Sequence, residues 1–473
     1  MSPVTMLRLA LAGSRTDGVR ITLTAFGAAF ATLGLLAIAT VLSIQSPPVS
    51  PDGGITDAHY TNALLAEAGL RPGLSVALVL LTLPFLFFVA QCSRLGAPAR
   101  DRRLAAYRLG GATPGQAAWI IAAETGVAAG LGMALGAAGY FVGRVLADRP
   151  GPEGMRTLPT DVLPPAWALV LVLAGLPVSV VALSLLLLRK VTVTPFGVVR
   201  RVRTRRVRPW PGVLLLVGLA GAGLLLPVRR LLQHHQVQLT GEPVILLFAA
   251  FVLLIAVGLV SGTGWLSFTG GRLLNRYARR PAGLLAGRRL VADPWQASRI
   301  LSVLVIAVLF GSGAAAVHSA FDAQFRAEPG GYEDTGFYDH AFQLIDAAVL
   351  VVLVVAAAAL LVMLAEQVVT RRRSLVALVA GGTPRSVLAR AQLLQVLVPT
   401  VPVVLLAAAS GTVAVLLLFD RSQGAVVPAP AVPVPWAELG VLVGGGIAAI
   451  LGVSAIGLLF FRASTDIAEL RTE

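Results

Sequence analysis

One carboxylate, Glu124, stands where it could do chemistry. It lies about one to two helical turns inside the apolar stretch Ala117–Leu146, and an ionisable group at membrane depth is a candidate for moving a proton or an ion. The alternative is structural, because a carboxylate near a membrane interface can pair with an arginine such as Arg108. Both interpretations require the surrounding stretch to be a helix that crosses a membrane.

The remaining motifs argue against enzyme chemistry on this chain. There is no Gly-x-x-x-x-Gly-Lys-Ser/Thr phosphate-binding loop, and no glycine loop precedes the only lysine, Lys190. The single cysteine, Cys92, excludes an internal disulfide framework, and the pair His234-His235 has no further metal ligands nearby. We therefore predict no catalytic residue, no bound cofactor and no metal site, and we expect any ATP hydrolysis on a separate protein.

The composition indicates a membrane protein. Of the 473 residues, 56% are hydrophobic and 13% are charged, whereas a soluble domain carries about 25% charged residues. The formal net charge is +15, which in so apolar a chain is typical of a cytoplasmic membrane face. We expect the arginine run Arg200–Arg208 to contact anionic membrane lipid, and we expect no nucleic-acid partner.

Ten apolar stretches approach the length of about 20 residues that a membrane-spanning helix needs. With the N-terminus inside, every internal inside loop is strongly positive and the outside loops are nearly neutral or acidic, as the positive-inside rule requires. We therefore predict an all-α, multi-pass protein of a bacterial cell membrane with ten transmembrane helices and both termini in the cytoplasm. The predicted spans are Ile21–Ile44, Leu74–Gln91, Ala117–Leu146, Pro165–Leu188, Pro211–Val228 (the weakest), Pro243–Leu266, Ile300–Ala320, Ala341–Leu364, Leu394–Phe419 and Trp436–Phe461.

Two arginine- and glycine-rich segments, Arg102–Pro114 and Arg372–Pro384, match each other at a constant offset of 270 residues. Each follows a span that enters the cytoplasm and precedes one that leaves it. This indicates two four-helix units in a parallel pseudo-twofold repeat, with spans five and six as a central two-helix linker. Chance similarity of two arginine-glycine loops is the alternative. The predicted domains are residues 1–190, 191–280 and 281–473.

Each matching segment is predicted to form an elbow, a short helix that stops at glycines before a new helix begins. Gly110-Gly111 and Gly381-Gly382 would end the first helix, while Thr113 and Thr383 would cap the second, with Pro114 and Pro384 in its first turn. Such an elbow can carry a push from a soluble partner into the membrane; the alternative is a hairpin that only fixes topology. The candidate coupling residues are Arg102, Arg103, Tyr107, Arg108, Gly110, Gly111, Thr113 and Pro114 in the first elbow and Arg372, Arg373, Leu378, Gly381, Gly382, Thr383 and Pro384 in the second.

Three further segments have predicted roles in packing or at a membrane surface. The small-residue pairs Gly126/Gly130, Gly132/Gly136 and Gly440/Gly444 are typical of close helix packing. Leu284–Arg299 mixes arginines with apolar residues and is interpreted as a helix along the inner interface. The acidic loop Phe321–His340 is expected to support orientation and solubility, with an extracellular partner as the alternative.

The arginine run, the helix and the Leu-Gly-Gly-Ala-Thr-Pro turn of the first elbow resemble the signature of the FtsX-like permease family of ABC transporters, in the MacB/Bce-type superfamily. Glu124 and the glycines after it also resemble the start of that family's next span. The second elbow departs from the first, since Ala380 stands at the Gly110 position and Leu394 at the Glu124 position. Ten spans on one chain resemble the Bce type, although the large extracellular sensor of that type is lacking.

The resemblance implies a membrane permease subunit whose elbows dock onto two copies of a separate ATPase, which would hold the ATP and Mg. Such a subunit would export or extract an amphiphilic substrate, or transmit force across the membrane (mechanotransmission). Two other functions remain open from the sequence. One is an ion-coupled secondary transporter with Glu124 as its coupling site, and the other is a non-transporting membrane scaffold or signalling partner.

Overall fold

A computed structural model describes most of the chain, and the described residues are almost entirely helical. The described residues are 15–45, 57, 59–68, 70–92, 103, 106, 109–149, 151, 154–189, 209–234, 241–327, 336–418 and 432–464. Their helices are α1 (Arg15–Leu42), α2 (Ala63–Ala66), α3 (Arg71–Cys92), α4 (Pro114–Ala147), α5 (Ala166–Arg189), α6 (Trp210–His234), α7 (Gly241–Tyr277), α8 (Pro281–Ala292), α9 (Trp295–Ala327), α10 (Gly336–Ala380), α11 (Arg385–Leu418) and α12 (Trp436–Ser464).

Within these ranges, nine helices are long and apolar enough to cross a membrane, namely α1, α3, α4, α5, α7, α9, α10, α11 and α12. Helix α6 offers only a shorter apolar run, Trp210–Leu225, before Pro227. A helix rises about 1.5 Å per residue, so this run falls short of a hydrocarbon core about 30 Å thick. The structure therefore confirms an all-helical, multi-pass membrane protein, while the tenth span stays a prediction.

The helices group into two compact units, Met1–Arg203 and Thr204–Glu473. In the first unit α1 is central and packs against α3, α4 and α5. Glycines allow this packing, because a Cβ at Gly132 or Gly136 of α4 would collide with the backbone carbonyl of Ala25 or Ala29 on α1. The prediction that Gly132 and Gly136 mediate close helix contact is confirmed.

The other two glycine pairs behave differently from the prediction. Gly126 packs against Val181 of α5, but a Cβ at its partner Gly130 would meet no protein atom within 4 Å. The same is true of both Gly440 and Gly444 on α12. The prediction of close packing through the Gly440/Gly444 pair is therefore wrong, since spacing alone does not say which face of a helix a neighbour covers.

In the second unit α9 is central and packs against α7, α10, α11 and α12. Its residues 301–312 are all buried. The short helix α8 lies against both α7 and α11, and α6 packs mainly on α7. The end of α10 and the start of α11, which form the second elbow, are thereby held beside α8.

The second elbow does not contain a separate short helix. Helix α10 runs for 45 residues without a break to Ala380, and the sequence from Phe342 to Ala380 holds no glycine or proline that would end it. The first copy differs because Gly96 and Pro98 stand between α3 and the elbow. The predicted short helix of the second copy is thus corrected to the end of one long helix.

Candidate coupling site

Glu124 lies at the centre of a buried ion-pair cluster in the first unit. Its Oε1 is 2.5 Å from Nη2 of Arg20 on α1, and both side chains are about 4% exposed. Its Oε2 is 3.9 Å from Nη2 of Arg103, a helical residue of the first elbow. The cluster therefore joins three segments that are far apart in sequence.

This geometry favours the structural interpretation of Glu124. A carboxylate between two guanidinium groups needs no transported cation to balance its charge. The predicted partner, Arg108, lies outside the described residues, as do Arg102 and Tyr107. The pairing with an arginine is confirmed, but the partners that the structure shows are Arg20 and Arg103.

The first elbow ends in a well-formed helix start. Gly111 has a φ of +88°, the left-handed conformation that glycine adopts without strain. The Thr113 hydroxyl accepts a hydrogen bond from the Gln116 backbone N–H, and the Gln116 side chain accepts one from the Thr113 N–H. This reciprocal capping box, with Pro114 in the first turn of α4, agrees with the predicted glycine stop and threonine cap.

Leu109 is the most unusual side chain of the first elbow. It is 91% exposed, immediately before the Gly110-Gly111 turn, and it lies outside the apolar helices that could contact lipid. Neighbouring Ala106 and Gly110 are exposed as well. An exposed leucine on an otherwise polar segment is a typical anchor for a protein partner.

The second elbow turns in a different register. The backbone N–H groups of Gly382 and Thr383 donate to the carbonyls of Val379 and Leu378, at 2.9 and 3.0 Å, and Gly382 has a φ of +84°. These bonds form a Schellman motif that closes α10. The left-handed residues of the two elbows, Gly111 and Gly382, are therefore 271 residues apart, one more than the sequence offset.

The register difference changes the start of the next helix. Thr383 helps to close α10, and Pro384 directly precedes α11, where its carbonyl accepts from the backbone N–H of Val387 at 3.0 Å. The predictions that Thr383 caps α11 and that Pro384 lies in its first turn are wrong. Gly381 donates to Ala377 at 3.0 Å inside the same motif.

A small apolar core supports the second elbow. Leu388, one turn into α11, is 2% exposed and packs against Leu378 and Val379 of α10 and Leu285 of α8. The sequence pattern placed α8 along a membrane interface but gave no sign that it braces the elbow. Arg372 and Arg373 lie in the last turns of α10, and their side chains are outside the described part of the structure.

The opposite end of the first unit carries a polar cap that the sequence did not indicate. Two loop segments pair through Tyr60 and Arg156, and the Tyr60 hydroxyl donates to Asp161 Oδ1 at 2.9 Å. Burial of the Tyr60 phenol and its bond to Asp161 raise the pKa of Tyr60. The cap orders short loops that were too small to predict as a domain.

Arg71 anchors this cap from the first turn of α3. Its guanidinium donates to the carbonyls of Leu65 and Gln45, at 2.7 and 3.0 Å, and to Asp57 Oδ2 at 2.9 Å. Burial raises the pKa of Asp57, but hydrogen bonds from His59 and Arg71 outweigh it, so that the pKa is lower than usual. Asp57 is therefore held ionised at neutral pH.

Comparison with known proteins agrees with these features. Residues 75–195 match the family model described as FtsX-like permease C-terminal. The match begins within α3 and includes the first elbow, Glu124, α4 and α5. Comparisons with curated proteins and with solved structures gave no match. This part of the chain is thus an FtsX-like permease domain, and the predicted resemblance to the FtsX-like permease family is confirmed.

Proposed function

We propose that this protein is the permease subunit of an ABC transporter and works with two copies of a separate ATPase. The FtsX-like permease domain supports this proposal, and the lack of a phosphate-binding loop in the sequence requires another chain to supply ATP hydrolysis. The subunit would export or extract an amphiphilic substrate, or transmit force across a bacterial cell membrane. Both elbows and both termini would lie in the cytoplasm.

The proposal includes the parallel repeat and a tenth span formed by α6. Within the first unit the helix α1 packs most extensively against α4, and within the second unit α9 packs most extensively against α11. The repeat pairs α1 with α9 and α4 with α11, so the same neighbours recur inside each unit. The positive-inside pattern supports α6 as the remaining crossing.

The buried cluster of Arg20, Arg103 and Glu124 is the observation that carries the coupling mechanism. Charged groups attract strongly where water is excluded. A partner that moves the first elbow would displace the Arg103 guanidinium, and Glu124 would pass that displacement to α4 and, through Arg20, to α1. Force would thereby reach two packed spans without any nucleotide site on this chain.

The two elbows would present different surfaces to the ATPase. Leu109 precedes the left-handed Gly111 by two residues, and the residue in the same place before Gly382 is Ala380. We expect Leu109 to fill an apolar pocket on one ATPase copy. The second elbow would rely on its backbone turn, held rigid by the Leu388 core.

Replacement of Leu109 tests this assignment. We expect Leu109→Ser to weaken co-purification of the ATPase from native membranes about 30-fold, the equivalent of an interface hot spot of about 2 kcal/mol. The matched control is Leu273→Ser, since Leu273 is also exposed but lies on α7, away from both elbows. Membrane insertion of both variants is measured in parallel. Equal ATPase recovery with Leu109→Ser and with the control would refute docking through the first elbow.

The alternative functions make different demands. An ion-coupled transporter would continue transport without any ATPase and stop when the proton gradient is removed. A scaffold would recruit partners without transport. An ATPase whose hydrolysis rate rises when this protein is added would exclude both.

A further inference from the structure

The second unit contains a groove of about 570 Å³ at the end of α7 that follows its apolar span. The groove lies between the last turns of α7, the first turn of α8 and the early part of α11. Its volume is within the range of ligand sites, about 300–1,000 Å³. Its apolar lining includes Leu274, Leu393 and Leu394.

Three arginines converge on this apolar lining. Arg279 and Arg280 come from the turn between α7 and α8, and Arg390 comes from α11. All three are exposed, and none forms an ion pair with a residue that the structure describes. Like charges that converge without an acidic neighbour create a positive potential that an anion would relieve.

The groove lies at the level of a membrane surface. The apolar span of α7 is Leu246–Tyr277, so that the span ends among the groove residues. Tyr277 is 68% exposed there, as expected of a tyrosine at a membrane interface. A ligand in the groove would therefore meet lipid acyl chains on one side and water on the other.

We infer that this groove binds an anionic phospholipid. The lipid phosphate would contact Arg279, Arg280 and Arg390, and the upper part of an acyl chain would lie along the leucines. Basic pockets between membrane helices bind anionic headgroups in this way. The apolar lining and the interfacial position favour a lipid over a soluble anion, which would gain nothing from the leucines.

Lipid binding would also affect the second elbow. Pro281–Ala292 forms α8, and its first turn lines the groove while its Leu285 packs against Leu388. A phosphate held by Arg280 of the α7–α8 turn and by Arg390 of α11 would clamp α8 against α11. The brace of the elbow would then depend on the lipid composition of the membrane.

The test uses native mass spectrometry of the full chain released from nanodiscs that contain phosphatidylglycerol and phosphatidylcholine in equal amounts. We expect the wild type to retain phosphatidylglycerol selectively, and R279Q/R390Q to lose at least tenfold of that retention. The control R272Q/R288Q removes the same charge from two exposed arginines outside the groove, and we expect it to behave as the wild type. We expect R279K/R390K, which keeps the charge, to retain most of the selectivity.

Several outcomes would overturn the inference. Equal loss in R279Q/R390Q and R272Q/R288Q would mean that the lipid responds to overall charge rather than to the groove. Displacement of the lipid by millimolar inorganic phosphate would identify a soluble-anion site. Unchanged lipid retention in R279Q/R390Q together with reduced ATPase recovery would identify the groove as a protein contact.

Discussion

Arg20 and Glu124 are each about 4% exposed, so the energy of their pair depends on a nearly complete exchange of water for protein. Such pairs contribute little net stability when complete, because the desolvation of both charges offsets their attraction. The loss of one partner is different, since it leaves the other charge buried and uncompensated. This asymmetry makes the pair sensitive to single substitutions and tolerant of the paired one.

We therefore expect Glu124→Gln to destabilise the protein by about 3 kcal/mol, and Arg20→Gln to have a similar effect. The double variant E124Q/R20Q should recover a clear part of that loss. Asp322→Asn serves as a control, because its pair with Arg326 is largely exposed and should contribute under about 1 kcal/mol. Thermal unfolding in detergent, followed by tryptophan fluorescence, measures all four variants. Purely additive losses in the double variant would contradict a direct pair.

At the scale of the elements, two faces of α4 can be compared within one helix. Gly132 and Gly136 lie against the α1 backbone, whereas a Cβ at Gly130 or Gly143 would meet no atom within 4 Å. The same Gly→Ala change thus adds a methyl group to a tight helix contact in one pair and to open space in the other.

We expect Gly132→Ala and Gly136→Ala each to lower stability by about 1–3 kcal/mol, as overpacked contacts do. Gly130→Ala and Gly143→Ala should be neutral or stabilising by up to about 1 kcal/mol, because alanine favours the helix. The melting temperatures of the four variants in one detergent test this. A uniform effect across the helix would show that the α1–α4 contact is looser than the structure has it.

The elements also show which features a sequence can predict. Apolar length placed the helices, and the Gly-Gly turns were predicted because only glycine adopts a φ near +85° without strain. The partner of Glu124 was assigned to Arg108, which is near in sequence. Arg20 could not be found in this way, since it meets Glu124 only through the packing of α1 on α4.

The second elbow shows the same limit in another form. Matching Thr113 with Thr383 gave an offset of 270, but the hydrogen bonds that close α10 follow the second glycine and shift the turn by one residue. The brace from α8 is a tertiary contact between Leu285 and Leu388, and no local pattern encodes it. Local signals predicted where each elbow lies, and packing determined what each elbow touches.

For the molecule as a whole, the proposed mechanism requires both elbows to lie on one side of the membrane. Between them the chain passes through α4, α5, α6, α7, α9 and α10. If α6 crosses the membrane, the number of crossings is even and the elbows share a side. If α6 does not cross, the number is odd and a single class of ATPase could not reach both.

Cysteine labelling distinguishes the two topologies. The only cysteine, Cys92, is buried, so C92S provides a background without thiols and the wild type a control that should remain unlabelled. In this background we expect H59C, at a site that is 82% exposed in the cap, to react with an impermeant maleimide on intact cells. A106C and A380C, one in each elbow, should react only after the membrane is opened. Labelling of A106C and A380C from opposite sides would show that α6 does not cross, and would exclude a parallel repeat with two equivalent docking sites.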